Sequence, residues 1–145
     1  MPASLGEKGF APTNIFALGE SLGGAVATEL AVRETVGGLV LHSTFTSVPD
    51  LGAELFPWLP VRWLGTIQYD TRSKLPRLGV PVLVLHSRGD TLIAFHHAER
   101  NFAAANEPKV FAELQGDHND PLWEGAGFAE AVERLLRRAE QKPGG

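Results

Sequence analysis

Residues Asn14–Leu30 read NIFALGESLGGAVATEL, and the fold turns on how that stretch is read. It opens as a short apolar run, Ile15-Phe16-Ala17-Leu18. It turns through Gly19-Glu20-Ser21-Leu22-Gly23 and leaves through small and helix-forming residues, Gly24 to Leu30. The order predicts a strand over 14–18, a tight turn with Ser21 at its apex, and a helix over about 22–33. Gly-x-Ser-x-Gly between a strand and a helix is the pattern of a nucleophile elbow. A serine hydroxyl attacks poorly unless a base can reach it, so such a turn aims the oxygen out of the fold. Glycines two before and two after the serine remove Cβ atoms that would collide in the strained turn. Gly23, Gly24 and Ala25 would let the helix sit close to the sheet. Its first N–H groups point at the site, and the Leu22 N–H is the candidate donor to a developing oxyanion.

The remaining chain repeats this alternation. The helix carries Leu22, Val26 and Leu30 at helical spacing. Leu39-Val40-Leu41 is a second apolar strand, leading into His42-Ser43. Val80 to His86 is a third, and Lys109 to Leu114 a fourth. Continuous apolar strands suit a parallel sheet covered on both faces. Helices are expected over about 95–105 and 128–140. Strands alternating with helices predict an α/β fold of about four parallel strands with helices on both faces.

Composition narrows the functional classes. With 145 residues, 43% of them hydrophobic, the chain can bury a core of its own. A net charge of −4 with no basic block argues against nucleic acid as a partner. There is no cysteine, hence no disulfide, thiolate metal site or cysteine nucleophile, which fits the cytoplasm. No apolar run reaches the length of a membrane helix, and no signal peptide precedes the first strand. Residues 1–13 read as a connector, 14–140 as a partial α/β domain, and 141–145 as a frayed tail.

Residues 44–79 break the alternation. Phe45, Phe56, Trp58, Trp63 and Tyr69 stand among Pro49, Pro57, Pro60 and Pro76. The prolines forbid one long helix, so short helices and loops over one end of the sheet are expected. The aromatics serve as a satellite core or as the wall of an apolar pocket. Phe45, Phe56, Trp58 and Trp63, with Glu20 beside the elbow serine, are the candidate substrate-binding residues.

Functional side chains of open parallel sheets lie beyond the C-terminal strand ends. Ser21 follows the first strand, Asp90 the third and His118 the fourth. Serine, aspartate, histidine is the chain order of an α/β-hydrolase triad. In that arrangement His118 is the general base for Ser21, and Asp90 orients and stabilises the imidazole. Asp50, Asp70, Asp117 and Asp120 are rival carboxylates. His42, His86, His96 and His97 are rival bases, the first two at strand ends and the others at a helix start. No metal and no organic cofactor is implied, because the triad needs none.

GESLGGAVA (19–27), STFTSVPDL (43–51), FPWLPVRWL (56–64), PVLVLHSRGD (81–90) and GDHND (116–120) together resemble the C-terminal part of an α/β-hydrolase. The likeness is greatest to α/β-hydrolase-domain serine hydrolases, a group with lysophospholipase-like, aminopeptidase-like and protein-depalmitoylating members. The resemblance implies a small-molecule acyl substrate, with a lipid or membrane-associated one open, and a variable segment over 44–79 that selects it. The cytoplasmic expectation stands beside it, with membrane association, seen in some relatives, open for a full-length protein.

Departures from the pattern are His86-Ser87 where His-Gly is usual, Ala94 where a proline is usual, and Asp117 immediately before the base. A carboxylate close to His118 would raise its pKa. The pattern also has strands and a His-Gly loop ahead of the elbow strand, which here begins at residue 14. The expectation is a fragment of a longer protein, or a partner chain or second copy pairing with the open edge strand. Without the second oxyanion donor, weak turnover is expected, because one such donor contributes about 10²–10³ in kcat. The expected activity is cleavage of an ester, thioester or amide through an acyl-enzyme. An aminopeptidase-like peptidase and a non-catalytic module pairing through its sheet edge are the alternatives.

Overall fold

The computed structural model describes residues 8–58, 69–118, 120–122 and 126–141. Residues 1–7 of the expected connector, Trp63 and residues 142–145 of the expected tail lie outside the described residues. The first strand, β1, is Phe16–Glu20, and Pro12–Asn14 before it forms a 3₁₀ turn. The strand therefore runs two residues further than its apolar run, carrying Gly19 and Glu20 up to the serine. Helix α1 (Leu22–Arg33) follows, then β2 (Gly38–His42), α2 (Val48–Leu55) and α3 (Thr71–Lys74). After a 3₁₀ turn at Leu75–Arg77 come β3 (Val82–Ser87), α4 (His96–Ala104), β4 (Lys109–Asp117), β5 (Asp120–Leu122) and α5 (Ala126–Glu140).

The strands lie in chain order, β1-β2-β3-β4-β5. The first four are parallel, in register from Phe16 opposite Gly38 to Ser87 opposite Leu114. β5 returns antiparallel to β4, pairing Asp117 with Asp120, where the sequence reads as a loop. Gly116 makes the return feasible at φ 96, a conformation open to glycine.

Alternation along the buried strands sends side chains to two cores. Leu39, Leu41, Val82 and Val84 pack with Ala27 and Ala31 of α1, Leu75, Leu78 and Ala98 of α4. Val40, Leu83, Leu85, Val110 and Leu114 pack with Ala131 and Leu135 of α5. Helices thus cover both faces, as a parallel sheet requires.

Helix α1 departs from what its apolar spacing suggests. Gly24, Ala25, Ala27, Thr28 and Ala31 are buried, while Leu22, Val26 and Leu30 are each about half exposed. Small side chains bring the backbone onto β1 and β2, and the large ones point away. Leu18 of β1 is exposed too, at 58%, on the opposite face of the strand from Ala17, which packs with α1. Among the described residues, β1 pairs on one side only.

Candidate active site

Ser21 sits where β1 meets α1, with φ 51 and ψ −119, a region costly for any side-chain-bearing residue. Its N–H donates to the His42 carbonyl (2.9 Å), and its carbonyl accepts from Gly24 N (3.1 Å), so both sides of the turn are anchored. Serine at a helix start usually turns its hydroxyl back to cap the first N–H groups. Ser21 makes no such cap. The two motif glycines prove unequal. A Cβ on Gly19 would overlap the Gly23 carbonyl and lie 2.5 Å from Gly24 N, whereas one on Gly23 meets nothing within 4 Å. It is Gly24, against the Thr44 side chain, that permits close helix packing.

Asp90 and His118 meet. Asp90 is buried just past β3, and its Oδ1 accepts from Leu92 N (3.0 Å) and Ile93 N (2.7 Å). Its Oδ2 lies 2.7 Å from Nδ1 of His118, itself 6% exposed. A carboxylate can only accept, so Nδ1 carries a proton, and in the neutral imidazole Nε2 then keeps its lone pair. His86, fully buried, donates from Nε2 to the Ile93 carbonyl (2.8 Å) and lies 3.5 Å from Asp90 Oδ2. It braces the acid loop. Ser21, Asp90 and His118 all lie at the C-terminal edge of the parallel strands.

The rival residues have other work. Asp50 accepts from Thr46 Oγ1 (2.6 Å), Asp70 caps α3 through Ser73 N (2.9 Å), and Asp117 accepts from Thr91. His97 and Asn101, one turn apart on α4 and both fully buried, hold the segment after β2. His97 Nδ1 accepts from Thr46 N (3.1 Å), and Asn101 Nδ2 reaches the Thr44 and Phe45 carbonyls (3.2 Å each). Sequence reasoning missed this pair. Its signal was two polar residues at i and i+4 on the sheet-facing side of a helix.

Glu54, His96 and His97 converge closely enough to raise the question of a metal. The Thr46 N–H takes the Nδ1 lone pair of His97, so its Nε2 holds the proton, donated to Glu54 Oε2 at 3.0 Å. A metal-binding imidazole needs the opposite tautomer, with Nδ1–H donating outward. The cluster is instead a tie between α2 and α4.

Of the candidate substrate residues, Glu20 is half exposed beside Ser21, its Oε1 3.8 Å from His42 Nδ1. Phe45 is buried, which fits packing rather than an open wall. Phe56 and Trp58 are exposed and meet edge to face, with centroids 6.2 Å apart. Phe45 and this pair therefore do not share one surface.

Three buried histidines carry a pH prediction. Burial pushes the pKa of His42, His86 and His97 below the ordinary 6.5, outweighing Glu20, the Ile93 carbonyl and Glu54, which raise them. The folded chain keeps them neutral, while the unfolded chain protonates them near 6.5. Their contribution is fully present above that pH and lost as pH falls below it. Each can remove about 1.4 kcal/mol per pH unit. The urea midpoint should fall clearly between pH 7.5 and pH 5.5, and a level or rising midpoint would contradict the burial of neutral imidazoles.

A parallel sheet, helices on both faces, an elbow serine and a buried aspartate–histidine pair at the strand ends define a partial α/β-hydrolase fold. The chain is similar in sequence to α/β-hydrolase domain-containing proteins. No family model matches it. Rv2307c, an uncharacterized protein of Mycobacterium tuberculosis, is 40% identical over 133 residues, 90% of this chain and 47% of that protein. Human alpha/beta hydrolase domain-containing protein 17B is 27% identical over 141 residues, 92% of this chain and 44% of that protein. The chain spans about half the length of these relatives. Among solved structures, the esterase domain of a Rhodothermus marinus protein superposes with a TM-score of 0.61 at 24% identity, over 85% of this chain and 59% of that one. Acetyl xylan esterase 1 from Thermoanaerobacterium gives 0.62 at 17% identity, over 91% and 47%. At these identities the solved structures speak for the fold alone. Among the described residues, no helix is long and apolar enough to cross a membrane.

Proposed function

We propose that this chain carries the reaction machinery of a serine hydrolase that cleaves an ester, thioester or amide through an acyl-enzyme. The observation that carries the reading is the buried 2.7 Å bond from His118 Nδ1 to Asp90, which leaves Nε2 free as a base at the sheet edge that presents Ser21. In this mechanism His118 Nε2 takes the Ser21 proton as the serine oxygen adds to the substrate carbonyl. The negative charge moves to the carbonyl oxygen, where the Leu22 N–H donates. The tetrahedral species collapses, the bond to the leaving group breaks, and His118 returns the proton to it. Water, deprotonated by the same imidazole, then releases the acid and restores Ser21. Asp90 stays ionised throughout and stabilises the charged imidazole. The half-exposed Glu20 and the exposed Phe56–Trp58 pair are the proposed substrate contacts, the pair suiting an acyl chain. The aminopeptidase-like alternative differs only in its leaving group, an amine. A cysteine-free chain accords with a cytoplasmic location, and the proposed substrate is a small acyl ester or a lipid.

A fluorophosphonate probe tests the chemistry. The folded chain should be labelled at Ser21, and Ser21→Ala should abolish labelling. Folded protein that stays unlabelled would overturn the reading. A panel of p-nitrophenyl esters of rising length then separates short-acyl from lipid-like substrates. One observation favours a second, non-catalytic reading: among the described residues β1 pairs on one side only, and Leu18 on it is exposed. A sheet edge of that kind pairs with another chain. Under this reading the protein associates in solution and stays unlabelled.

A further inference from the structure

We propose that Asp117, with Thr91, is a positioning pair that clamps the loop bearing His118 onto the loop bearing Asp90. The proposal rests on the triad reading above and adds residues to it. The two loops leave adjacent parallel strands, β3 and β4, and nothing in that pairing fixes how they meet beyond the strand ends. Asp117 supplies the junction from the β4 side. Its Oδ1 accepts from Thr91 N (2.9 Å) and Thr91 Oγ1 (2.8 Å), and its Oδ2 lies 3.0 Å from the same hydroxyl. The same Oδ1 accepts from the backbone N–H of His118 at 2.7 Å. One carboxylate thus holds the residue after the acid and the backbone of the base.

The neighbouring contacts explain why the clamp is needed here. Where a glycine is usual, Ser87 hydrogen-bonds the Gly116 carbonyl and accepts from Gly89 N (3.0 Å). A Cβ on Gly89 would lie 2.7 Å from the Gly116 oxygen, so the loops are in backbone contact. Ser87 ties the strand-proximal part of the two loops, and Asp117 ties Thr91 and His118 beyond it. Both Thr91 and Asp117 are exposed, so their bonds contribute little to the core. Their value lies in geometry, because displacing a reacting group by about 1 Å costs on the order of 10²-fold in rate.

This account differs from a purely electrostatic one. If Asp117 acted by its charge, Asp117→Asn would move the lower limb of the pH–rate profile. A clamp needs acceptor atoms, and the asparagine oxygen still accepts from Thr91 N and His118 N.

The test uses the intact chain with ¹⁵N-labelled histidine, watching the low-field Nδ1 proton of His118. Asp117→Ala should shift or broaden that resonance and slow fluorophosphonate labelling by about 10- to 100-fold. Asp117→Asn should return the resonance to its wild-type position and the labelling rate to within about threefold of wild type, with the lower pH limb unmoved. Thr91→Val, which removes only the hydroxyl, keeps the test alive should Asp117→Ala fail to fold, and should shift the resonance in the same direction. An unchanged resonance in Asp117→Ala, or in Thr91→Val where the alanine variant does not fold, would overturn the proposal. So would an asparagine variant as impaired as the alanine one. The resonance needs no turnover. If the wild-type chain is not labelled but the resonance responds as stated, the hydrolase reading falls and the clamp stands.

Discussion

Replacing Asp90 with asparagine is expected to slow acylation of Ser21 by about 10⁴-fold while leaving the chain folded. The side chain is nearly isosteric, and the local hydrogen bonds dictate how it must sit. Oδ1 of Asp90 receives two backbone donors, Leu92 N and Ile93 N. Only an oxygen can accept them, so an asparagine must place its carbonyl there and turn its NH₂ toward His118. Nδ1 then faces a donor and becomes the acceptor. The proton moves to Nε2, the nitrogen that should take the proton of Ser21. The variant holds the base in the wrong tautomer without displacing it. The rate of fluorophosphonate labelling measures the effect, with thermal unfolding as the control. A rate within tenfold of wild type, in a folded variant, would remove Asp90 from the role of acid and point to another carboxylate.

The parts of this site that were legible in the sequence are those set by local patterns. Ser21, Asp90 and His118 each follow an apolar run, and each run became a strand of the parallel sheet. Helix α1 begins and ends where the small-residue run predicts, at Leu22 and Arg33. Its buried face was not legible from periodicity. Leu22, Val26 and Leu30 form the apolar stripe, but the site needs the backbone against β1 and β2, which only glycine, alanine and threonine allow. Close approach overrode hydrophobicity. The end of β4 was hidden for another reason. Gln115-Gly116-Asp117 reads as a loop by composition, yet it pairs with β5 across Gly116. The bond from His118 to Asp90 and the clamp at Thr91 join residues 28 and 26 positions apart, and no local pattern specifies such contacts.

The elbow makes a second large prediction, and it separates two glycines that the motif treats alike. Gly19→Ala should destabilise the chain by about 3 kcal/mol or more, at the upper end for overpacking. The new methyl would strike the Gly23 carbonyl and the Gly24 nitrogen, which are backbone atoms in the first turn of α1. A flexible side chain could swing away from such a collision, but this turn cannot. Ser21 is tied to β2 through the His42 carbonyl, and Gly24 is already against Thr44. Relief requires moving α1 off β1, which opens the contact that buries Ala25, Ala27, Thr28 and Ala31. For a chain of this length the loss corresponds to a fall in Tm of roughly 10 °C. Gly23→Ala should do the reverse. Its Cβ meets nothing within 4 Å, it lies inside α1, and alanine favours a helix over glycine by up to about 1 kcal/mol. Urea unfolding of the two variants side by side decides the matter. Equal destabilisation by both would mean that the turn is held by the Gly-x-Ser-x-Gly pattern as a unit. The collision at Gly19 requires that only the first of the two be irreplaceable for folding.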